Sequence, residues 1–168
     1  ASALAAVDFG DAEIVVSRNA PADTEVTEFS SLLSTVVTDA VDVAAKKVTP
    51  DTIAKILFTS GSTGLPKGVI NTQRMLCSNQ VAMSQVWTFL NGHPPVTVDW
   101  LPWNHTFGGN HNLNMMLRNG GTMYVDGGKP APGLIDQTVA NLREISPTIY
   151  YNVPRGFDML LPYLEKDL

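Results

Sequence analysis

The feature that most constrains the fold is a run of hydroxyl and glycine residues between two short apolar segments. Residues 59 to 68 read TSGSTGLPKG, follow the apolar segment 53–58 and precede the β-branched run 69–72. Such runs on both sides predict two strands joined by this loop. Glycines let the loop backbone turn and bring its N–H groups to an anion, and Lys67 adds a positive charge. The pattern therefore predicts a strand-loop-strand unit that holds phosphate.

Two well-known phosphate-loop patterns do not describe this run. In G-x-x-x-x-G-K-[ST] a glycine directly precedes the lysine, whereas Leu65 and Pro66 separate Gly64 from Lys67. The dinucleotide pattern G-x-G-x-x-G does not occur in the chain. A Walker-type ATPase and a Rossmann domain are therefore disfavoured, and a serine- and glycine-rich surface turn is the alternative interpretation.

Along the rest of the chain, predicted strands alternate with predicted helices. The strands are expected at 12–16, 53–58, 69–72, 96–101, 122–125 and 148–153, and the helices at 29–33, 40–48, 73–90, 112–117, 134–145 and from Pro154 to the end. This alternation predicts an α/β fold, with a mostly parallel sheet flanked by helices on both faces. Cys77 falls in the long helix, where we expect it to be a small buried side chain.

Composition excludes several classes of function. The 168 residues are 44% hydrophobic and 16% charged with a net charge of −5, which indicates a globular domain without a broad basic surface for nucleic acid or anionic lipid. No apolar run reaches membrane-spanning length. The single cysteine fits a reducing compartment. We therefore expect a cytoplasmic protein with neither nucleic acid nor membrane as a partner.

A second segment, 102–111, combines two histidines, two aromatic residues, two glycines and two asparagines. It follows the predicted strand 96–101, and ligands of parallel sheets bind at the carboxyl ends of the strands. We interpret it as a substrate wall. His105 and His111 lack a nearby carboxylate at metal-ligand spacing, which disfavours zinc, whereas a histidine satisfied by local hydrogen bonds stays open. His93 and His111 are treated as ordinary residues.

The ten residues 59–68 resemble the phosphate-binding signature of the adenylate-forming enzymes, which include acyl-CoA synthetases, luciferases and peptide-synthetase adenylation domains. Within that superfamily, the segments 70–75, 98–112 and 152–157 resemble the feruloyl-CoA synthetase group. The resemblance covers the chain from about Phe29 onward. It implies that the fold is a subdomain of the adenylate-forming enzyme fold.

The resemblance implies an ATP-dependent carboxylic acid:CoA ligase. Such an acid-thiol ligase joins an aryl or alkenyl carboxylate to AMP with release of pyrophosphate, and then forms a thioester with coenzyme A. ATP, magnesium and coenzyme A are the implied cofactors and co-substrates.

The resemblance also assigns roles to individual residues. The implied catalytic residues are Lys67 and His105. The implied phosphate-binding residues are Thr59, Ser60, Gly61, Ser62, Thr63, Gly64, Lys67 and Gly68, with magnesium held near Thr63 through the phosphates. The implied substrate pocket comprises Trp103, Asn104, His105, Phe107 and Gly108.

Several family segments do not occur in these 168 residues. They include the Tyr-Gly-x-Thr-Glu segment, the ribose-binding aspartate, the hinge and the C-terminal domain with its adenylation lysine. We therefore expect residues 1–168 to be part of the N-terminal AMP-binding domain, inactive alone and prone to self-association through apolar surface that the missing parts cover. The alternative is a stand-alone, non-catalytic module that binds a phosphate-containing ligand or a protein.

Overall fold

The computed structural model describes residues 6–8, 10–22, 24–60 and 64–166, and the chain divides into two compact units, Ala1–Val48 and Thr49–Leu168. The first unit contains the parallel strands β1 (Val15–Val16) and β2 (Thr27–Glu28) and the helices α1 (Phe29–Leu32) and α2 (Asp39–Lys46). Acidic residues in the first turn of α2 and Lys46 in its last turn complement the helix dipole.

The second unit begins with an antiparallel hairpin of strands β3 (Ile53–Thr59) and β4 (Lys67–Thr72). This confirms that the hydroxyl- and glycine-rich run joins two strands. Side chains alternate between the hairpin's two faces. Leu57 is buried on the inner face, whereas Phe58 on the outer face is 73% exposed. The hairpin therefore packs against the rest of the second unit through its inner face, and its outer face is exposed.

Helix α3 (Gln73–Val86) starts directly after the hairpin, and a 3₁₀ turn at Thr88–Leu90 follows it. The hydroxyl of Thr72 accepts a hydrogen bond from the Met75 N–H, which satisfies one free donor at the helix start.

The predicted burial of Cys77 is wrong, because its thiol is exposed. Gln80 and Met83 form the buried stripe of α3, and Cys77 lies to one side of that stripe.

The strands β5 (Val96–Asp99) and β6 (Thr122–Val125) pair in parallel. Between them lie a π-helical segment at Thr106–Leu113 and helix α4 (Asn114–Asn119), so the helical stretch starts six residues before the predicted 112–117. One methionine of α3 and two of α4 form a core cluster with Leu90, made of Met83, Leu90, Met115 and Met116. This crossover between parallel strands agrees with the predicted α/β class.

Helices α5 (Ile135–Ile145) and α6 (Pro154–Lys166) pack through a second apolar cluster of Ile135, Val139 and Leu160. The strand predicted at 148–153 is wrong. The backbone N–H groups of Thr148 and Ile149 do bond to the Val96 carbonyl, but pairing stops there. Instead, the Asn152 side chain accepts a bond from the Val153 N–H, because a short amide competes locally with the sheet.

Within the described part of the chain, none of the helices has the length and apolar character needed to cross a lipid bilayer.

Candidate functional site

The predicted phosphate loop lies at the open end of the β3–β4 hairpin. Thr59 pairs with Lys67 across the last rung, and Gly68 pairs with Phe58 one rung further in. Thr59, Ser60, Lys67 and Gly68 are all exposed. Three assigned loop residues lie outside the described residues: Gly61, Ser62 and Thr63. The described part of the loop therefore carries one lysine and two hydroxyl groups on an open edge.

Gly64 marks the return of the loop toward β4. Its φ angle is +83°, a backbone conformation that glycine adopts readily and other residues rarely do. Among the described residues beyond its chain neighbours, no atom lies within 4 Å of the position that a Cβ would take there.

Hydrogen bonds connect the inner face of the hairpin to the second predicted segment. The Asn110 amide donates to Asn71 Oδ1 at 2.7 Å, and Gln80 Nε2 donates to the Asn110 carbonyl oxygen at 2.9 Å. Lys55 Nζ also approaches this segment, since a Cβ added at Gly109 would lie 3.1 Å from it. The structure thus brings the two sequence motifs together through Asn71 and Asn110.

His105 is the N-cap of the π-helical segment. Its Nδ1 accepts a hydrogen bond from the Phe107 N–H at 3.2 Å, and its carbonyl oxygen accepts one from the Gly109 N–H at 2.9 Å. The sequence left open the interpretation that a histidine here is satisfied by local hydrogen bonds. The Nδ1 atom of His105 has such a hydrogen bond. Because Nδ1 accepts, the neutral ring carries its proton on Nε2. The side chain is exposed, and that N–H has no partner among the residues that the structure describes.

Gly108 lets the π-helical segment lie directly on the end of β5. A Cβ at this position would come within 2.5 Å of the Pro102 carbonyl oxygen and 2.8 Å of the Leu101 carbonyl oxygen. Both distances are below any normal contact, so only glycine fits. Gly108 therefore shapes the wall by allowing close backbone approach and offers no side chain to a substrate.

The five predicted pocket residues do not line one cavity. Trp103 and Asn104 line a cavity of about 390 Å³ at the carboxyl ends of β5 and β6. Phe107 lines a different cavity of about 410 Å³, together with Met75, Leu76, Asn79, Thr106, Asn110 and His111. His105 is among the lining residues of neither cavity. The predicted wall thus separates two cavities.

Sequence reasoning missed a cluster of four rings, of which two, Phe107 and His111, line the Phe107 cavity. The ring centroids of His111 and Tyr151 are 4.8 Å apart, those of Phe107 and His111 5.4 Å, and those of Trp87 and His111 5.8 Å. All three contacts are edge-to-face, a favourable geometry for aromatic rings. Burial raises the pKa of Tyr151 to about 12. Only the four-residue spacing of Phe107 and His111 could have signalled the cluster.

Two carboxylates lie at the carboxyl ends of the parallel strands. Asp99 is 3% exposed, and its Oδ1 accepts a hydrogen bond from the Leu101 N–H. Burial raises the pKa of Asp99, while the Leu101 N–H, the Asn112 amide and His111 oppose that rise. Asp126 accepts bonds from the Gly128 N–H, the Thr138 hydroxyl and the Asn141 amide. Asp126 is thus fully engaged in holding α5 against β6.

Within the described residues, histidine, cysteine, aspartate and glutamate side chains nowhere gather in threes that could hold a metal ion. The magnesium that the resemblance implies stays a prediction, because Thr63 lies outside the described ranges.

A family model described as AMP-binding enzyme matches residues 2–168. The chain belongs to the AMP-binding enzyme family. The chain is similar to a carboxylic acid reductase of Mycobacterium tuberculosis, which is 31% identical over 118 residues, covering 70% of this chain and 10% of the relative. Fatty acyl-CoA synthetase B of Dictyostelium discoideum is 30% identical over 121 residues, covering 71% of this chain and 17% of the relative.

Solved structures of AMP-binding enzymes share the fold. ATP-bound MatB from Rhodopseudomonas palustris superposes with a TM-score of 0.54 and 29% identity, over 67% of this chain and 21% of that one. A malonyl-CoA ligase with methylmalonyl-CoA and AMP bound gives a TM-score of 0.61 at 22% identity, over 92% of this chain and 32% of that one. The chain thus spans a third or less of these AMP-binding enzymes.

Proposed function

We propose that the natural protein carrying this segment is an ATP-dependent carboxylic acid:CoA ligase. The observation that carries the proposal is the β3–β4 hairpin, which sets Lys67 opposite Thr59 at the open end of a hydroxyl-rich loop in an AMP-binding enzyme. The similarity to a fatty acyl-CoA synthetase and the fold shared with a malonyl-CoA ligase support the same reaction class. Residues 1–168 then form part of the N-terminal AMP-binding domain of a cytoplasmic enzyme.

In this proposal, the loop binds the β- and γ-phosphates of ATP. A carboxylate oxygen attacks the α-phosphorus, the bond to the bridging oxygen breaks, and pyrophosphate leaves as negative charge accumulates on it. Lys67 and the hydroxyl groups of Thr59 and Ser60 lie on the exposed edge and stabilise that charge in this proposal. Magnesium bound to the phosphates supplies further positive charge.

His105 has a donor role in this proposal. Its Nδ1 is occupied by the Phe107 N–H, so Nε2 is the nitrogen that offers a proton to a ligand. An N–H donor at this point can hold one oxygen of the carboxylate or of the acyl-adenylate while the other oxygen reacts. The role is one of orientation, because the hydrogen bond needs no change in protonation.

The acid itself is proposed to be hydroxycinnamate-like, as the resemblance to feruloyl-CoA synthetases implies. The cavity of about 410 Å³ beside Phe107 is large enough for one aromatic ring and its side chain, and the ring cluster provides an apolar wall. After adenylation, the coenzyme A thiol attacks the acyl carbon and AMP leaves.

A second candidate is a carboxylic acid reductase, because a relative of that name is 31% identical to this chain. The two candidates differ in the product released, which is a CoA thioester for a ligase and an aldehyde for a reductase. A binding module without catalysis is the third possibility.

The test is pyrophosphate release by the longest natural protein that contains this segment, with ATP and with ferulate, coumarate or a medium-chain fatty acid. Release that depends on ferulate and yields a CoA thioester supports the proposal. Aldehyde formation that depends on a reduced nicotinamide supports the reductase. The absence of pyrophosphate with every acid leaves the non-catalytic binding module.

A further inference from the structure

Buried polar atoms without hydrogen-bond partners concentrate around the π-helical segment. In the described part of the chain, five buried side-chain atoms lack a partner: Gln80 Oε1, Thr97 Oγ1, Asp99 Oδ2, Asn110 Oδ1 and Asn112 Nδ2. Solvent does not reach these atoms, so water does not replace the missing partners. Because each buried unpartnered group lowers stability, five of them in one region call for a physical explanation.

The residues that carry these atoms all lie on the π-helical segment or beside it. Asn110 and Asn112 belong to the segment, and Gln80 Nε2 donates to the Asn110 carbonyl oxygen at 2.9 Å. The Asp99 carboxylate interacts with the Asn112 amide, although neither Asp99 Oδ2 nor Asn112 Nδ2 completes a hydrogen bond. Thr97 precedes Asp99 by two residues on β5, so both side chains point to the same face of the sheet.

The set contains donors as well as acceptors, so its members are able to satisfy one another. Asn112 Nδ2 is a donor, the Thr97 hydroxyl can donate or accept, and the other three atoms are acceptors. A π-helical turn is wider than an α-helical turn and occurs mainly in short stretches at functional sites. A change between these two registers turns the side chains of Asn110 and Asn112 relative to β5. Such a turn provides a way to bring the donors to the acceptors.

Both ends of the segment are held in place, and its middle is bonded to the hairpin. The start lies against the end of β5 through the close backbone contact at Gly108, and the buried Met115 and Met116 of α4 follow its end. Between these points, the Asn110 amide donates to Asn71 Oδ1 on β4 at 2.7 Å. Since β4 begins at Lys67, a ligand that shifts this strand also acts on Asn110.

We propose that residues 106–113 are a two-state element that changes helical register when a nucleotide binds to the phosphate loop. The π-helical register leaves the five buried atoms unpartnered, and the second register pairs them. The Asn71–Asn110 hydrogen bond couples the hairpin to the element. Because binding and register are linked, the second register binds the nucleotide more tightly. The inference rests on the proposed function, since it requires a nucleotide at this loop.

The experiment is hydrogen–deuterium exchange, read by mass spectrometry, in the longest natural protein that contains this segment, with and without saturating ATP. Equilibrium dialysis establishes separately that ATP is bound. The amides of 106–113 should exchange more slowly with ATP, on the order of tenfold, because the second register adds internal hydrogen bonds. The amides of α5 should exchange at the same rate in both conditions.

Two matched substitutions test whether the unpartnered atoms drive the change. Thr97→Val removes a buried hydroxyl group without a partner and keeps the shape of the side chain. In the absence of ATP it should raise the urea midpoint, and it should reduce the effect of ATP on 106–113, because the second register loses a hydrogen bond.

Thr138→Val is the control, since Thr138 is also buried but its hydroxyl donates to Asp126 Oδ2 at 2.6 Å. It should lower the urea midpoint and leave the effect of ATP on 106–113 unchanged.

Three outcomes would overturn the inference. Unchanged exchange of 106–113 in a protein that binds ATP would remove the two-state element and leave the ligase proposal intact. A urea midpoint lowered as much by Thr97→Val as by Thr138→Val would show that the Thr97 hydroxyl has a partner, and would remove the reason for a second register. A natural protein that binds no ATP would overturn both the inference and the proposed function.

Discussion

At the scale of single residues, the role of Lys67 is the prediction that a single substitution tests most directly. Lys67→Ala in the natural protein should lower pyrophosphate-forming turnover by about 2 to 4 kcal/mol of transition-state stabilisation, on the order of 30- to 1,000-fold, because one charged donor to the leaving group is lost. Since the side chain is exposed, folding should not change. Steady-state kinetics and circular dichroism measure the two effects.

Lys47→Ala provides the matched control, because Lys47 is also exposed but lies at the end of α2, outside the hairpin. Its turnover should equal that of the wild type. Near-normal turnover of Lys67→Ala would remove this lysine from the mechanism.

The buried carboxyl group of Asp99 should make the free energy of unfolding depend on pH. Burial raises its pKa in the folded chain above the value of 3.8 for a free aspartate, so the folded state holds the proton more tightly. Stability from this group is therefore greatest below the unfolded pKa and is lost as pH rises through the folded pKa. Asp99→Asn should remove that loss. As the pH rises from 4, the free energy of unfolding measured in urea should rise for the variant relative to the wild type. A difference between the two proteins that stays constant with pH would contradict the prediction.

At the scale of elements, the close contact between the π-helical segment and the end of β5 depends on Gly108. Gly108→Ala should destabilise the chain by about 1 to 3 kcal/mol, because the added methyl group meets two backbone carbonyl oxygens that cannot move aside. Gly127→Ala is the control, since its methyl group would meet only the end of the flexible Gln137 side chain. Equal urea midpoints for the two variants would argue against this close approach.

Elements set by local sequence were predictable. The hairpin followed from two β-branched runs around a glycine-rich loop, and β6 was predicted at its observed bounds of Thr122–Val125. The strand expected at 148–153 was not formed, because Asn152 takes over the local hydrogen bonding. Cys77 was misplaced because hydrophobic spacing does not resolve a residue at the border of a helix's buried stripe.

Contacts between distant residues were not predictable from the sequence. The ring of His111 contacts Trp87, Phe107 and Tyr151, which come from separate parts of the chain. Their spacing in the sequence therefore does not predict the cluster. The side chain of Asn112 is completely buried, and the burial of a polar residue cannot be read from composition. His105 could be named from the sequence because it lies inside one short motif, and its role stays a prediction.

At the scale of the whole molecule, the outer face of the hairpin predicts self-association. Ile56, Phe58 and Ile70 lie on this face with exposures of 50%, 73% and 51%. Contiguous apolar surface of this kind favours contact between copies. Light scattering of the 168-residue chain should detect oligomers at high concentration, and Phe58→Ser should reduce them.

Val36→Ser is the control for that experiment, because Val36 is 80% exposed but lies outside the hairpin. It should leave the oligomers unchanged. A chain that stays monomeric at every concentration would contradict the prediction.

The proposed function depends on one step, in which the natural protein activates a carboxylate by joining it to AMP. Acid-dependent exchange of labelled pyrophosphate into ATP, measured without coenzyme A, tests that step alone because it needs only reversible adenylation. We expect exchange that requires a hydroxyaryl acid such as coumarate and that falls sharply in Lys67→Ala. An intact, folded natural protein that catalyses no exchange with any carboxylic acid would contradict it.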